Sequence, residues 1–170
     1  MRYVIIDTGL KGACVVFEDR NGAPTPIDHY FFETWEDGID PVKFATQLKE
    51  WNARHFYIEK PPTMPNQAVT TTFKQAYVIA QTYSTILLTV ENPVIHDFYP
   101  ITWVSHARRH LHRSELNLDN KKAMQKLAPR NFPAFMSQFK KRTLYHDGIA
   151  DCIGMLFYVK RGHFSQFIED

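Results

Sequence analysis

Three short β-rich runs crowd into the first 32 residues. They are Tyr3 to Ile6, Ala13 to Phe17 and Ile27 to Phe32. Asp7-Thr8-Gly9 ends the first, and Asp19-Arg20-Asn21-Gly22 carries turn chemistry after the second. Connections that short fit an antiparallel meander. The pattern then changes period. Asp40-Pro41 reads as an N-cap followed by proline at the first helical position, opening a helix to about Trp51. Phe56 to Ile58 is a short strand ending at Glu59, and Lys60-Pro61-Pro62 forces the chain out of the sheet. Gln67 to Val90 lacks Gly and Pro and predicts a long helix. Pro93 to Tyr99 predicts a strand. Ile101 to Leu111 and Leu118 to Leu127 predict helices, the second bounded by Pro129 and Pro133. Asp147 to Val159 predicts an apolar helix. The order β-β-β-α-β-α-β-α-α-α is that of an α/β chain. At 170 residues, with no repeat or linker, one domain spanning 1–170 is expected.

Composition removes several classes. Two cysteines, Cys14 and Cys152, make no disulfide framework and no CxxC motif. No apolar run reaches the roughly 18–20 residues of a membrane span, and the N-terminus lacks signal-peptide form. A soluble chain in the cytoplasm, without a membrane partner, is the expectation. No Gly-rich phosphate loop or nucleophile elbow is present, so no small-molecule cofactor is expected. His106, His110 and His112 do not share one helix face, and Arg108 and Arg109 would repel a cation, which argues against zinc.

The net charge of +2 conceals an uneven distribution. Between Val104 and Arg142 stand ten Lys or Arg against Glu115 and Asp119, a net of +8. The remainder has ten basic against sixteen acidic residues. A basic face beside an acidic feature suits a polyanion such as nucleic acid. The acids themselves are patterned. Asp7 and Glu59 each end a strand, and Asp147 and Asp151 lie four apart on one helix face. Carboxylates brought that close repel, and a divalent cation with a preference for hard oxygen ligands relieves the repulsion. Two such ions suit phosphodiester hydrolysis. Phe73 and Tyr77, four apart on the long helix, read first as core, with base stacking or dimer packing as alternatives.

Four pieces in order resemble the RuvC-type Holliday junction resolvases of the ribonuclease H-like superfamily, most of all the single-domain phage-encoded forms. They are Val4-Ile5-Ile6-Asp7-Thr8-Gly9, Tyr57-Ile58-Glu59-Lys60, Met64-Pro65-Asn66-Gln67-Ala68-Val69 and His146-Asp147-Gly148-Ile149-Ala150-Asp151. Tyr99-Pro100-Ile101-Thr102-Trp103 is a minor fifth. The resemblance implies a five-stranded mixed sheet, three strands antiparallel and then two parallel, flanked by helices. It implies a homodimeric endonuclease in which each subunit nicks one strand of a four-way or branched DNA, using two Mg²⁺ (or Mn²⁺) ions. In a phage the site of action would be the bacterial host cytoplasm.

Carried over, Asp7, Glu59 and Asp151 match three acids of the family. Relatives often place the remaining acid three before the last, where this chain has Gly148. Asp147 is the natural substitute and His146 a weaker one. Lys121 or Lys122 matches a lysine near the scissile phosphate. Lys60, Met64, Asn66, Gln67, Lys74, Arg108, Arg109, Arg113, Lys140, Lys141 and Arg142 are the expected DNA contacts. Relatives carry glycines where Asn66 and Ala68 stand. The other readings are a non-catalytic nucleic-acid-binding module of the same fold and a ribonuclease acting on RNA–DNA hybrids.

Overall fold

The computed structural model describes residues 1–9, 12–32, 34–35, 38–61, 68–140 and 146–162. Strands β1 (Arg2–Asp7), β2 (Ala13–Arg20) and β3 (Ala23–Phe31) form an antiparallel meander. Asn21 (φ 57°) and Gly22 (φ 80°) turn β2 into β3, both in the left-handed region that a two-residue hairpin turn requires. A small hairpin, β4 (Thr34–Trp35) and β5 (Gly38–Ile39), leads to α1 (Pro41–Trp51). Asp40 caps α1, accepting from the amides of Val42 and Lys43 at 3.0 and 3.1 Å. Then come β6 (His55–Glu59), α2 (Val69–Thr89), β7 (Val94–Phe98) and α3 (Pro100–Ala107). Helices α4 (Asn120–Asn131), α5 (Pro133–Ser137) and α6 (Asp147–Gly162) complete the order.

The main sheet has the order β3-β2-β1-β6-β7, with β6 parallel to both β1 and β7. This is the mixed sheet that the resemblance implied. Its central strands are buried on both faces, which explains why β1 reads as a continuous apolar run rather than an alternation. Tyr3 and Ile5 point to the layer of α3, α4 and α6, among Trp103, Met124, Ile153 and Leu156. Val4 and Ile6 point to the layer of α1 and α2, among Phe44, Leu48, Val78 and Ile86. Pro24 and Pro26 lie in β3, an edge strand, where a missing ladder donor is tolerated.

Three readings need correction. Pro129 does not end its helix: α4 continues to Asn131. The proline lies in the last turn, where it forfeits only the ladder bond to the Gln125 carbonyl. There Phe132 N–H still reaches the Ala128 carbonyl, and the Asn131 amide donates to that of Leu127. The expected helix to Leu111 stops at Ala107 and tightens into a 3₁₀ turn over Arg108–His110. Phe73 and Tyr77 are not core: they are 72% and 55% exposed, because α2 buries its other side, Val78, Thr82, Thr85 and Ile86, where it packs against α1 and β5. The β4–β5 hairpin and α5 were not anticipated. No helix among the described residues is long and apolar enough to cross a membrane.

Candidate active site

The parallel register pairs Ile6 with Ile58, so the next residues, Asp7 and Glu59, end adjacent strands side by side. Strand ends of this kind, at the carboxyl edge of an α/β sheet, are the usual place for a site. Asp7 is oriented by its own loop, since its Oδ1 accepts the Gly9 N–H at 2.8 Å. Gly12 closes the loop with an N–H bond of 2.8 Å to the Gly9 carbonyl. A Cβ at Gly12 would run into the Asp7 carbonyl oxygen, so no other residue fits there without moving the loop.

Glu59 is buried and held from two directions. The Trp103 indole N–H donates to its Oε1 at 2.7 Å, and the Thr8 hydroxyl donates to its backbone carbonyl at 2.6 Å. Helix α6 carries the other two acids over β1 and β2. The Cys152 thiol, buried beneath it, points at the carbonyls of Ile5 and Ala13. Gly148 permits the close approach, since a Cβ there would stand 3.1 Å from Ala13 N and 3.1 Å from Asp7 Oδ2.

Electrostatics tie the acids together. Burial pushes Asp7 up to about 6, against the Gly9 hydrogen bond that favours its charge. Burial and then the Asp7 charge push Glu59 up to about 7. Asp151 is pushed well above the usual carboxylate range by burial and by repulsion from Asp7, Glu59 and Asp147. Among the described residues Lys121 opposes this at Asp151. Asp147 sits at the rim, taking the Gln125 amide on Oδ1 at 2.9 Å and the Lys121 ammonium on Oδ2 at 2.5 Å.

All four acids thus meet in one region, and Lys121 is the lysine that faces them. Lys122 turns away to Asp119 at 3.2 Å. The His146 ring packs on Phe31 instead, with 4.3 Å between centroids. Among the described residues no three acidic, His or Cys side chains already stand at ligand distance around one point. The donor set nonetheless suits a hard divalent ion, being all carboxylate oxygen and crowded together.

The expected DNA contacts divide by what they touch. Arg109, Arg113 and Lys140 are exposed. Arg108 is engaged in the fold: it donates to the Leu118 carbonyl and Asn120 Oδ1, both at 3.0 Å, and to the Leu116 carbonyl. Lys60 pairs with Asp97 at 2.5 Å and lies over the Tyr83 ring, whose hydroxyl also donates to Asp97. Lys74 is half-buried on α2. Met64, Asn66, Gln67, Lys141 and Arg142 lie outside the described residues. A recess of about 410 Å³ beside Lys49, Asn52, Arg54 and Asn92 lies at the opposite edge of the sheet from the acids.

Sequence reasoning did not assign roles to Trp103 or Gln125. Trp103 stood in a noted motif, but its bond to Glu59 joins residues 44 apart in sequence. Gln125 carried one faint signal, its place one turn after Lys121.

No protein-family model matches the sequence, and no curated protein matches it. Solved structures do. RuvC of Thermus thermophilus in complex with a Holliday junction substrate aligns with a TM-score of 0.67 at 11% identity, covering 95% of this chain and 96% of that one. This is the fold of the RuvC-type Holliday junction resolvases. The fowlpox virus Holliday junction resolvase aligns at 0.58 with 15% identity, covering 95% and 99%. The yeast mitochondrial Holliday junction resolvase aligns at 0.53 with 14% identity, covering 97% and 83%. Identities this low make the likeness one of fold. Within the RuvC-type fold, the departure at Gly148 acquires a physical setting: it is the point where α6 touches Asp7.

Proposed function

We propose that the chain is a metal-dependent endonuclease that resolves Holliday junctions and other branched DNA. One observation carries the reading: Asp7, Glu59 and Asp151, the second buried and the other two partly so, crowd together at the carboxyl edge of a ribonuclease H-like sheet, with the Lys121 ammonium beside them. Acids that repel one another in a buried site need a cation to be charged at once. Two divalent ions, Mg²⁺ or Mn²⁺, held by these acids would activate the attacking water and stabilise the leaving oxygen. The protein supplies the rest. Trp103 and Thr8 fix Glu59, Gly9 fixes Asp7, and Lys121 presents a positive charge to the scissile phosphate. Arg109, Arg113 and Lys140 contact backbone phosphates of the arms.

Branched DNA as substrate rests on the company the fold keeps. The Thermus RuvC and the fowlpox resolvase both have structures in complex with a Holliday junction. A dimer, with one nick per subunit, draws support from α2. That helix has one charged residue, Lys74, in 21 positions, and exposes Val69, Phe73, Tyr77, Leu87 and Leu88. A surface helix of that composition is suited to a second copy rather than to water.

The test is cleavage of an end-labelled four-way junction with Mg²⁺ by the wild-type chain and by Asp7→Asn. The variant is expected to bind the junction and not cut it. Metal-dependent cutting retained in that variant overturns the assignment.

A further inference from the structure

The carboxylate of Asp147 is held differently from the other three acids, and the difference lies in one helix. Lys121 and Gln125 are four apart on α4, so they occupy one face a turn apart. The N-cap Asp119 sets where that helix begins, accepting the Lys122 N–H at 2.8 Å. Gln125 is buried, flanked by the core residues Met124, Leu127 and Ala128. A buried amide is a rigid donor whose hydrogen bonds are costly to lose. Its N–H reaches Asp147 Oδ1 at 2.9 Å, while the Lys121 ammonium takes Oδ2 at 2.5 Å. Both oxygens of Asp147 are therefore occupied by donors from α4, and the carboxylate is half exposed. Among the described residues no hydrogen bond from α4 reaches Asp7, Glu59 or Asp151; Asp7 takes the Gly9 N–H and Glu59 the Trp103 indole.

Gly148 supplies the second half of the argument. It is an α6 position close to Asp7, where a Cβ would lie 3.1 Å from Oδ2. A side chain leaving the helix there would enter the acid cluster. Asp147 leaves it about 100° earlier around the helix, toward α4. An ion bound to Asp147 would sit within a few ångström of the Lys121 ammonium, and like charges at that range repel strongly.

We propose that Asp147 is the counter-ion of Lys121 rather than a metal ligand, and that Gln125 is a positioning residue that fixes this pair against the scissile phosphate. The ions are left to Asp7, Glu59 and Asp151. The inference rests on the nuclease reading above and refines how that site is divided. Lys121 stays charged throughout the working range, its pKa raised by the hydrogen bond and charge of Asp147 and further by Asp151.

The experiment separates metal binding from cleavage. Mn²⁺ binding to the full chain without DNA is measured by loss of the free-ion electron paramagnetic resonance signal. Single-turnover junction cleavage is measured at saturating Mn²⁺. Asp147→Asn and Gln125→Leu are expected to bind Mn²⁺ within about threefold of wild type, while Asp151→Asn weakens it by roughly tenfold or more. Cleavage is expected to slow roughly tenfold in Asp147→Asn, Gln125→Leu and Lys121→Ala, and Gln125→Leu adds little once Asp147 is already Asn. Loss of Mn²⁺ in Asp147→Asn as severe as in Asp151→Asn overturns the inference and leaves the nuclease reading intact. An undiminished Gln125→Leu effect in the Asp147→Asn background overturns the positioning role. A wild-type chain that binds no Mn²⁺ refutes the metal reading itself, and the inference with it. Asp147 is half exposed, so its variant tests the claim even where Gln125→Leu folds poorly.

Discussion

Removing the charge of Asp7 will stabilise the metal-free protein at alkaline pH while abolishing cleavage. Burial raises Asp7 from 3.8 to about 6. At about 1.4 kcal/mol per pKa unit, holding it ionised in the fold costs about 3 kcal/mol. That is an upper figure, because the carboxylate keeps some solvent access. Glu59, raised from 4.5 to about 7, adds a cost of similar size, though the two are coupled and do not sum. Between the unfolded and folded values the native state binds more protons than the unfolded chain, so stability falls as pH rises through that window. Asn at position 7 keeps an oxygen for the Gly9 N–H and removes the charge that raises Glu59 and Asp151. For a chain of this size, 3 kcal/mol corresponds to a rise in Tm of roughly 6–12 °C. The assay is thermal unfolding in EDTA at pH 5 and pH 8. Wild type is expected to melt lower at pH 8 than at pH 5, and Asp7→Asn to melt higher than wild type at pH 8. Saturating Mg²⁺ narrows the gap by stabilising wild type alone. Asp7→Asn melting at or below wild type in EDTA at pH 8 refutes the reasoning, since the cluster would then carry no electrostatic strain.

Trp103→Phe removes the hydrogen bond to Glu59 and keeps most of the packing, so stability falls by about 1–3 kcal/mol and single-turnover cleavage slows, as melting and quench-flow measure. Unchanged cleavage would show that the indole does not orient Glu59. Replacing Phe73 and Tyr77 together with Glu converts a dimer to a monomer in sedimentation velocity without lowering Tm, because both side chains are exposed. A dimer that survives places the interface elsewhere. Arg109→Ala lowers the salt dependence of junction binding by about one unit of slope with Tm unchanged. Arg108→Ala instead lowers Tm, because its guanidinium holds the Leu116 and Leu118 carbonyls. The reverse pattern would exchange their roles.

The fold was legible where local chemistry acts alone. Apolar runs bounded by Asp7-Thr8-Gly9 and Asn21-Gly22 gave the meander, and Asp40-Pro41 gave the start of α1. The acids at strand ends were legible for the same reason, since a carboxylate that closes an apolar run marks where the strand ends. Partners across the chain were not legible. Which face of α2 turns inward depends on tertiary packing, so Phe73 and Tyr77 were misplaced. Charge alone could not separate Arg108, engaged by loop carbonyls, from Arg109, which stays exposed. Nor could adjacency choose between Lys121 and Lys122. The helix phase chose, turning one to Asp147 and the other back to the N-cap.

The central claim is that buried acids and a divalent ion cut branched DNA. Cleavage of a synthetic four-way junction by the purified chain, with Mg²⁺ and with EDTA, beside a linear duplex and an RNA–DNA hybrid of equal length, tests it most directly. The account predicts paired symmetric nicks in the junction alone, dependent on Mg²⁺ and absent in Asp7→Asn. Tight junction binding with no cutting under any divalent ion, or cutting confined to the hybrid, contradicts it.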